Sequence, residues 1–494
     1  MAFRLIIDRD PNWAWRISPA SREEAEKSLR DMFSVWAKEG SRLTDVLLCI
    51  LEKSCVIPNS FITWRGDKYV WGSDPEKYPD KQRLCAADPS LYEGLYKAYR
   101  EYGLDPINIY LDVMRENGIN PWLTLRMNDA HHLYDEDINQ TKDELFYEAL
   151  ETGHVIGEQY GYFGRCFDYS WQKIRDAVEG LIGEAVMKYD IYGLSLDFLR
   201  EAFCFDYKND PDCHKIMTEF IRRIHTIMLK AGERWGHPVK LLLRLPHSPE
   251  ESMAYGFDVA TMVREGLIDA VDPCARWECT NSALPVADWR KVVGPDILLV
   301  PGVETLSLRG GEDGKDYSCV SPEQVRAYAA AWLRQGADGL LMANLCYEDE
   351  RSESMWTLDL EKAESEKRRF IVTYQDIPSG LVKDPYRPLP MDLSGKQDMK
   401  LMIGGVRKTD KVRVFIDYEG EDEPTLDIGS LAGLRPVPEG PIYGCCESNL
   451  AEKIRLSYNR PLSYVADGLE TDGPVCLRFA GEGVVHYVDI RINL

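Results

Sequence analysis

Positive charge is scarce in this sequence. Lys and Arg number 59 against 82 Asp and Glu, a formal net charge of -23 at pH 7. Nucleic acid and anionic membrane surfaces both demand a basic patch, so neither is an expected partner. Neutral or cationic ligands fit better, although a local arginine cluster could still hold an acid. No apolar run is long enough to span a bilayer. The opening "MAFRLIIDRDPNWAW" lacks a basic region followed by a long apolar core, so no secretory leader is expected and the expected location is cytoplasmic. The 13 cysteines include no CxxC pair, only the adjacent Cys445 and Cys446. That inventory excludes a zinc or disulfide framework. No GxGxxG or GxxxxGK[ST] stands between a strand and a helix, and the glycines of "SLRGGEDGKDYS" lack that setting. Neither HExxH nor a Cys–His nucleophile spacing is present, and no cofactor or metal is expected.

What remains is a well-packed globular composition, 44% apolar and 11% aromatic, over 494 residues, long enough for two or three domains. From residue 1 to 375 strands and helices alternate. The strands are "FRLIIDRD", "TDVLLCIL", "PWLTLRMND", "YGLSLDF", "VKLLLRLP", "IDAVDP", "DILLVPGVE" and "ADGLLMANL". Helices are predicted at 21–38 with a Ser21/Glu24 cap, 106–117, 171–188, 214–234, 257–265 and 322–335. A closing helix is predicted in "LEKAESEKRRFIVTY". Eight such units with long insertions predict a (β/α)8 TIM barrel. After a Pro-rich linker, residues 376–494 turn to short alternating strands, "KVRVFIDYE", "EKIRLSYN", "GPVCLRFA" and "VVHYVDIRI". These predict an all-β sandwich.

In such a barrel the loops at the C-terminal ends of the strands line the site. Charged residues gather there. Strand one ends in Asp8, Arg9 and Asp10, and strand two leads to Asn59, Trp64 and Arg65. Strand three ends in Arg126, Asn128, Asp129, His131 and His132, and strand four in Asp197, Arg200 and Glu201. Strand five ends in Arg244 and His247, and strand six runs into Asp272, Arg276, Trp277 and Glu278. Strand seven ends in Glu304, and strand eight in Asn344 and Glu348. Carboxylates, arginines, amides and tryptophans are the inventory of glycosidic bond cleavage, which needs two carboxylates about an oxocarbenium-like transition state.

Asp197 is the first candidate, as nucleophile or electrostatic stabiliser with Arg200 beside it; its bland alternative is a structural aspartate bonded to a loop amide. Glu304, whose alternative is a barrel-rim salt bridge, and Glu278 are the candidate proton donors, Glu278 because a carboxyl packed on Trp277 would be harder to ionise. Glu201 competes with them, its alternative being a pair with Arg200. Arg126 and Asn128 are two apart and so expected on one face, binding substrate or holding the barrel together. His131 or His132, Arg200, Glu201, Arg244 and Asn344 are further hydroxyl-binding candidates. Trp64, Trp277 and Trp356 are candidate sugar platforms, though any single tryptophan is more often core.

Three segments, "WLTLRMNDAHH", "YDIYGLSLDFLRE" and "VPGVE", resemble bacterial glycoside-hydrolase-like TIM-barrel proteins of the family-10-glycosylhydrolase-like kind, which read close to "DGIELDFMR" on strand four. The resemblance implies a glycosidase without naming its sugar. "GLSLDF" is also similar to the nucleophile strand of α-glycosidases. It departs from the chitinase pattern DGxDxDxE, which would need Asp at Ser195 and Glu at Leu199. The expected substrate is an imported oligosaccharide or glycoside, and a second copy of the chain is a candidate partner. Two rival readings stand beside this one. One is a metal-dependent isomerase or lyase on a sugar acid, using Asp129 with His131 or His132. The other is a barrel that binds carbohydrate without cleaving it.

Overall fold

The computed structural model describes residues 3–9, 19–52, 97–98, 101–130, 133–134, 144–207, 209–275, 281–304, 306–308, 317–343, 355–372, 389–395, 398–438 and 460–494. The chain divides into two compact units, one of Ile6–Asp272 with Val292–Leu298, the other of Met1–Leu5, Pro273–Lys291 and Leu299–Leu494.

In the first unit parallel strands alternate with helices. They are β1 (Arg4–Arg9), α1 (Arg22–Ser34), β2 (Asp45–Glu52), α2 (Pro106–Glu116), β3 (Asn120–Arg126), α3 (Glu144–Thr152) and α4 (Gln172–Lys188). β4 (Gly193–Asp197), α5 (Cys213–Trp235), β5 (Lys240–Leu245), α6 (Pro249–Ala254), α7 (Val259–Arg264) and β6 (Ala270–Pro273) follow. The helix starts are written in the sequence. Ser21 accepts the Glu24 N–H while the Glu24 carboxylate accepts from Ala20, a variant of the reciprocal cap. Asp105 caps α2, with Pro106 at its first position, where no N–H is missed.

After α8 (Val286–Val293) the predicted seventh strand comes in two pieces, β7 (Leu298–Leu299) and β8 (Gly302–Glu304). Pro301 lies between them and has no N–H to give a ladder. The second unit continues with β9 (Leu306–Leu308), β10 (Tyr317–Cys319), α9 (Pro322–Arg334) and β11 (Gly339–Ala343). A Ser321/Gln324 capping box starts α9. The strand order is β7-β6-β5-β4-β3-β2-β1-β11-β8, the expected TIM-type (β/α)8 architecture with its seventh strand split.

Register sorts the strands of the first unit into two faces. Arg126, Asp197 and Arg244 are Cα partners across β3, β4 and β5, and so are Thr124, Ser195 and Leu242. One residue along, Leu125, Leu196 and Leu243 form a fully buried row on the opposite face. Side chains alternate along a strand, so the leucines belong to one layer and the charges to the other. Lower on the charged face the indole of Trp122 lies over Gly193, where any Cβ would strike it. Trp122 Nε1 donates to the buried Asp45 at 2.9 Å.

The expected closing helix is not formed. Leu360–Ser365 is a 3-10 turn, and β12 (Arg368–Val372) pairs antiparallel with β20 (Val484–Ile492). β-branched and aromatic residues in "RRFIV" suit a strand, and the Arg369 guanidinium meets the Asp489 carboxylate of β20 at 2.7 Å, both fully buried. The remaining strands are β13 (Met391–Asp392), β14 (Asp398–Met402), β15 (Val412–Glu419), β16 (Thr425–Ile428), β17 (Leu431–Leu434), β18 (Pro461–Val465) and β19 (Pro474–Ala480). They form two antiparallel sheets, β12-β20-β15-β18 with β13 on β20, and β14-β19-β16-β17. β19 alternates exposed and buried along its length, and Phe479 on it meets Tyr464 on β18 at 6.4 Å between ring centroids. The predicted strand "EKIRLSYN" lies outside the described residues.

One pH-sensitive contact sits at the N-terminal side of β4 and β5. Asp190 accepts from Arg115 at 2.8 Å and from His237 Nε2 at 2.6 Å. The carboxylate raises the His237 pKa above its usual value, so its stabilisation is full below the ordinary imidazole pKa of about 6.5 and is lost as pH rises through the folded-state value. His237 is 39% exposed, which limits the effect. His237→Gln is expected to cost less than about 1 kcal/mol at pH 5.5 and close to nothing at pH 9, read from denaturant midpoints. An equal cost at both pH values would contradict this.

Candidate functional site

The C-terminal ends of β3 to β6 place four charged side chains in a row of alternating sign. Arg126 ends β3, Asp197 ends β4, Arg244 lies near the end of β5, and Asp272 is in β6. Arg244 is shared: its NH1 lies 3.2 Å from Asp197 Oδ2 and its Nε 3.4 Å from Asp272 Oδ2. The exposures of Asp197, Arg244 and Asp272 are 2%, 3% and 0%, so the attraction acts with little solvent screening. Arg126 meets Asp129 at 3.3 Å, and that carboxylate is also buried.

Asp197 is fastened at both oxygens. Oδ1 accepts backbone N–H groups from Leu199 at 2.9 Å and Arg200 at 2.8 Å, while Oδ2 faces Arg244. Arg244 is thus a cation against this carboxylate, and Arg200, the expected neighbour, contributes its backbone N–H. These loop amides are the contact the bland alternative described, so Asp197 also shapes the turn out of β4. Arg200 and Glu201 follow on that loop, both buried. His247, after β5, is fully buried too.

Asn128 takes the second of its two expected roles, holding structure together. β3 ends at Arg126, so the two-residue alternation that would align them stops short. The Asn128 amide donates to Phe167 O at 2.9 Å and Phe203 O at 2.7 Å and accepts from Phe167 N at 3.0 Å. Both amide hydrogens are engaged by backbone, which makes it a bracket between the loops after β3 and β4 rather than a hydroxyl-binding group. Asn128→Ala would strand two buried carbonyls and one N–H, at an expected cost of about 1–3 kcal/mol in denaturant unfolding. An unchanged midpoint would contradict the bracket.

Glu304 ends β8, buried and in register with Ala343 of β11, and belongs to the second unit. Trp356 is 2% exposed, so its ring is core and not an open platform. Glu278, Trp277, Trp64, His131, His132 and Asn344 lie outside the described residues. Among the described residues no group of three or more His, Cys, Asp or Glu is arranged to hold a metal ion. Asp272 was placed at a strand end from the sequence but given no role, although a signal exists. "TLR", "SLD", "LLR" and "AVD" each put a charge two residues after an inward position, with one apolar residue between.

No protein-family model matches the sequence, and no curated protein does. Among solved structures, a chitinase from Chromobacterium violaceum matches with TM-score 0.38 and 10% identity, over 73% of this chain and 99% of that one. A glycoside hydrolase family 18 N-acetylglucosaminidase from Paenibacillus barengoltzii matches with TM-score 0.40 and 13% identity, over 72% and 100%. The PgaB (BpsB) glycoside hydrolase domain from Bordetella bronchiseptica matches with TM-score 0.41 and 11% identity, over 74% and 98%.

Proposed function

We propose that the protein is a glycoside hydrolase acting in the cytoplasm on an imported oligosaccharide or glycoside. The observation that carries the reading is the fixing of Asp197 at the C-terminal end of β4, by Arg244 on one oxygen and two loop amides on the other. A carboxylate so held is pre-oriented, as a nucleophile or a stabiliser of positive charge at an anomeric carbon must be. Asp272, engaged by Arg244, is better suited to keeping charge in place than to delivering a proton. The donor is therefore sought at Glu304 and Glu278, each by Glu→Gln substitution in the same assay. Arg126, Arg200 and Glu201 are the proposed hydroxyl-binding groups, with Trp64 or Trp277 as stacking surface.

The test is release of nitrophenol from a panel of α- and β-nitrophenyl glycosides and of reducing sugar from short oligosaccharides, with and without chelator. Cleavage that survives the chelator is expected. Activity lost only to the chelator, or no cleavage of any glycoside, would overturn the reading.

A further inference from the structure

We infer that this site takes a neutral sugar and discriminates against sugar acids. The inference rests on the glycosidase reading and adds its substrate class. Five of the strand-end charges of the first unit, Arg126, Asp197, Arg200, Arg244 and Asp272, are arginines or aspartates, and arginines at a strand mouth could suggest a carboxylate-binding site. Their geometry points the other way. Arg126 is matched by Asp129 at 3.3 Å. Arg244 is matched twice, by Asp197 and by Asp272. Arg200 and Glu201 are neighbours on one buried loop and bring one charge of each sign. Asp8, buried on β1 and in register with Leu47, adds another carboxylate. Arg9, the next residue, falls on the opposite face by alternation.

These described groups therefore hold more negative than positive charge. A uronate entering them would lose water from its own carboxylate and meet Asp197 and Asp272 at the guanidinium it needs. Like charges at a desolvated contact discriminate strongly between partners. A neutral hydroxymethyl group at the same carbon meets no such barrier. The chain as a whole, at -23, adds a long-range field of the same sign.

The experiment compares nitrophenyl glycosides that differ only at C6: glucoside against glucuronide, and galactoside against galacturonide. The expected kcat/KM ratio is at least about 100-fold in favour of the neutral member of whichever pair is cleaved. In Asp272→Asn, Arg244 loses one of the two carboxylates it meets, and the ratio is expected to fall by about tenfold or more. A uronide cleaved as well as its neutral partner by the wild-type protein would overturn the inference, as would a ratio unmoved in a folded Asp272→Asn. If no glycoside is cleaved, the glycosidase reading fails separately. Binding of free glucose and free glucuronate by ligand-observed NMR then decides the charge preference: glucose alone upholds it, and glucuronate or neither overturns it.

Discussion

Arg244→Met is expected to destabilise the protein by about 3–5 kcal/mol, the largest loss of any single substitution considered for the strand ends. Methionine keeps much of the aliphatic volume but removes the guanidinium between Asp197 and Asp272. Two carboxylates at 2% and 0% exposure would then each lose the guanidinium they meet. Water cannot replace the lost partner unless the strand ends open. The measurement is urea unfolding, where the midpoint should fall while the slope is retained. A shift under about 1 kcal/mol would show that the buried row is not held together by this residue.

Asp197→Asn should behave in the opposite way, with a large loss of activity and a small loss of stability. The amide oxygen can still accept from Leu199 and Arg200, and Arg244 keeps Asp272 as its counter-ion. The new amide nitrogen does meet NH1 of Arg244, a donor facing a donor, for a cost of about 1–2 kcal/mol. Loss of the negative charge removes the group proposed to react with or stabilise the anomeric carbon, and kcat/KM should fall by about 1000-fold or more. Asp197→Ala would confound the two effects, because it also frees the loop amides. The asparagine separates them.

The parallel strands and most helices were legible because their signals are local. Apolar–polar alternation in "LSLD" marks a strand with one apolar face, and Ser21 with Glu24 announces a helix start. Two errors came from signals that depend on tertiary partners. "RRFIVTY" continues a charged, helix-compatible run, and only pairing with β20 and the buried Arg369–Asp489 contact make 368–372 a strand. "DILLVPGVE" reads as one strand because its apolar pattern runs through Pro301, while the ladder cannot.

In the candidate site, Asp197 and Arg126 could be placed at strand ends by pattern alone. Their partners could not. That Arg244 reaches Asp197 depends on the β4–β5 register, which brings the two level. For Asn128 the choice between binding substrate and holding the barrel together was open for the same reason. Its partners, Phe167 and Phe203, are far away in sequence and adjacent only once both loops are built.

The most direct test of the account is the kcat/KM of wild type and Asp197→Asn on the best-cleaved glycoside, at a urea-free temperature where both are folded. A fall of about 1000-fold or more with the far-UV spectrum and unfolding midpoint nearly retained is the predicted result. Equal turnover by the two proteins would contradict it, and would return Asp197 to the role of a turn-forming aspartate held by its loop amides.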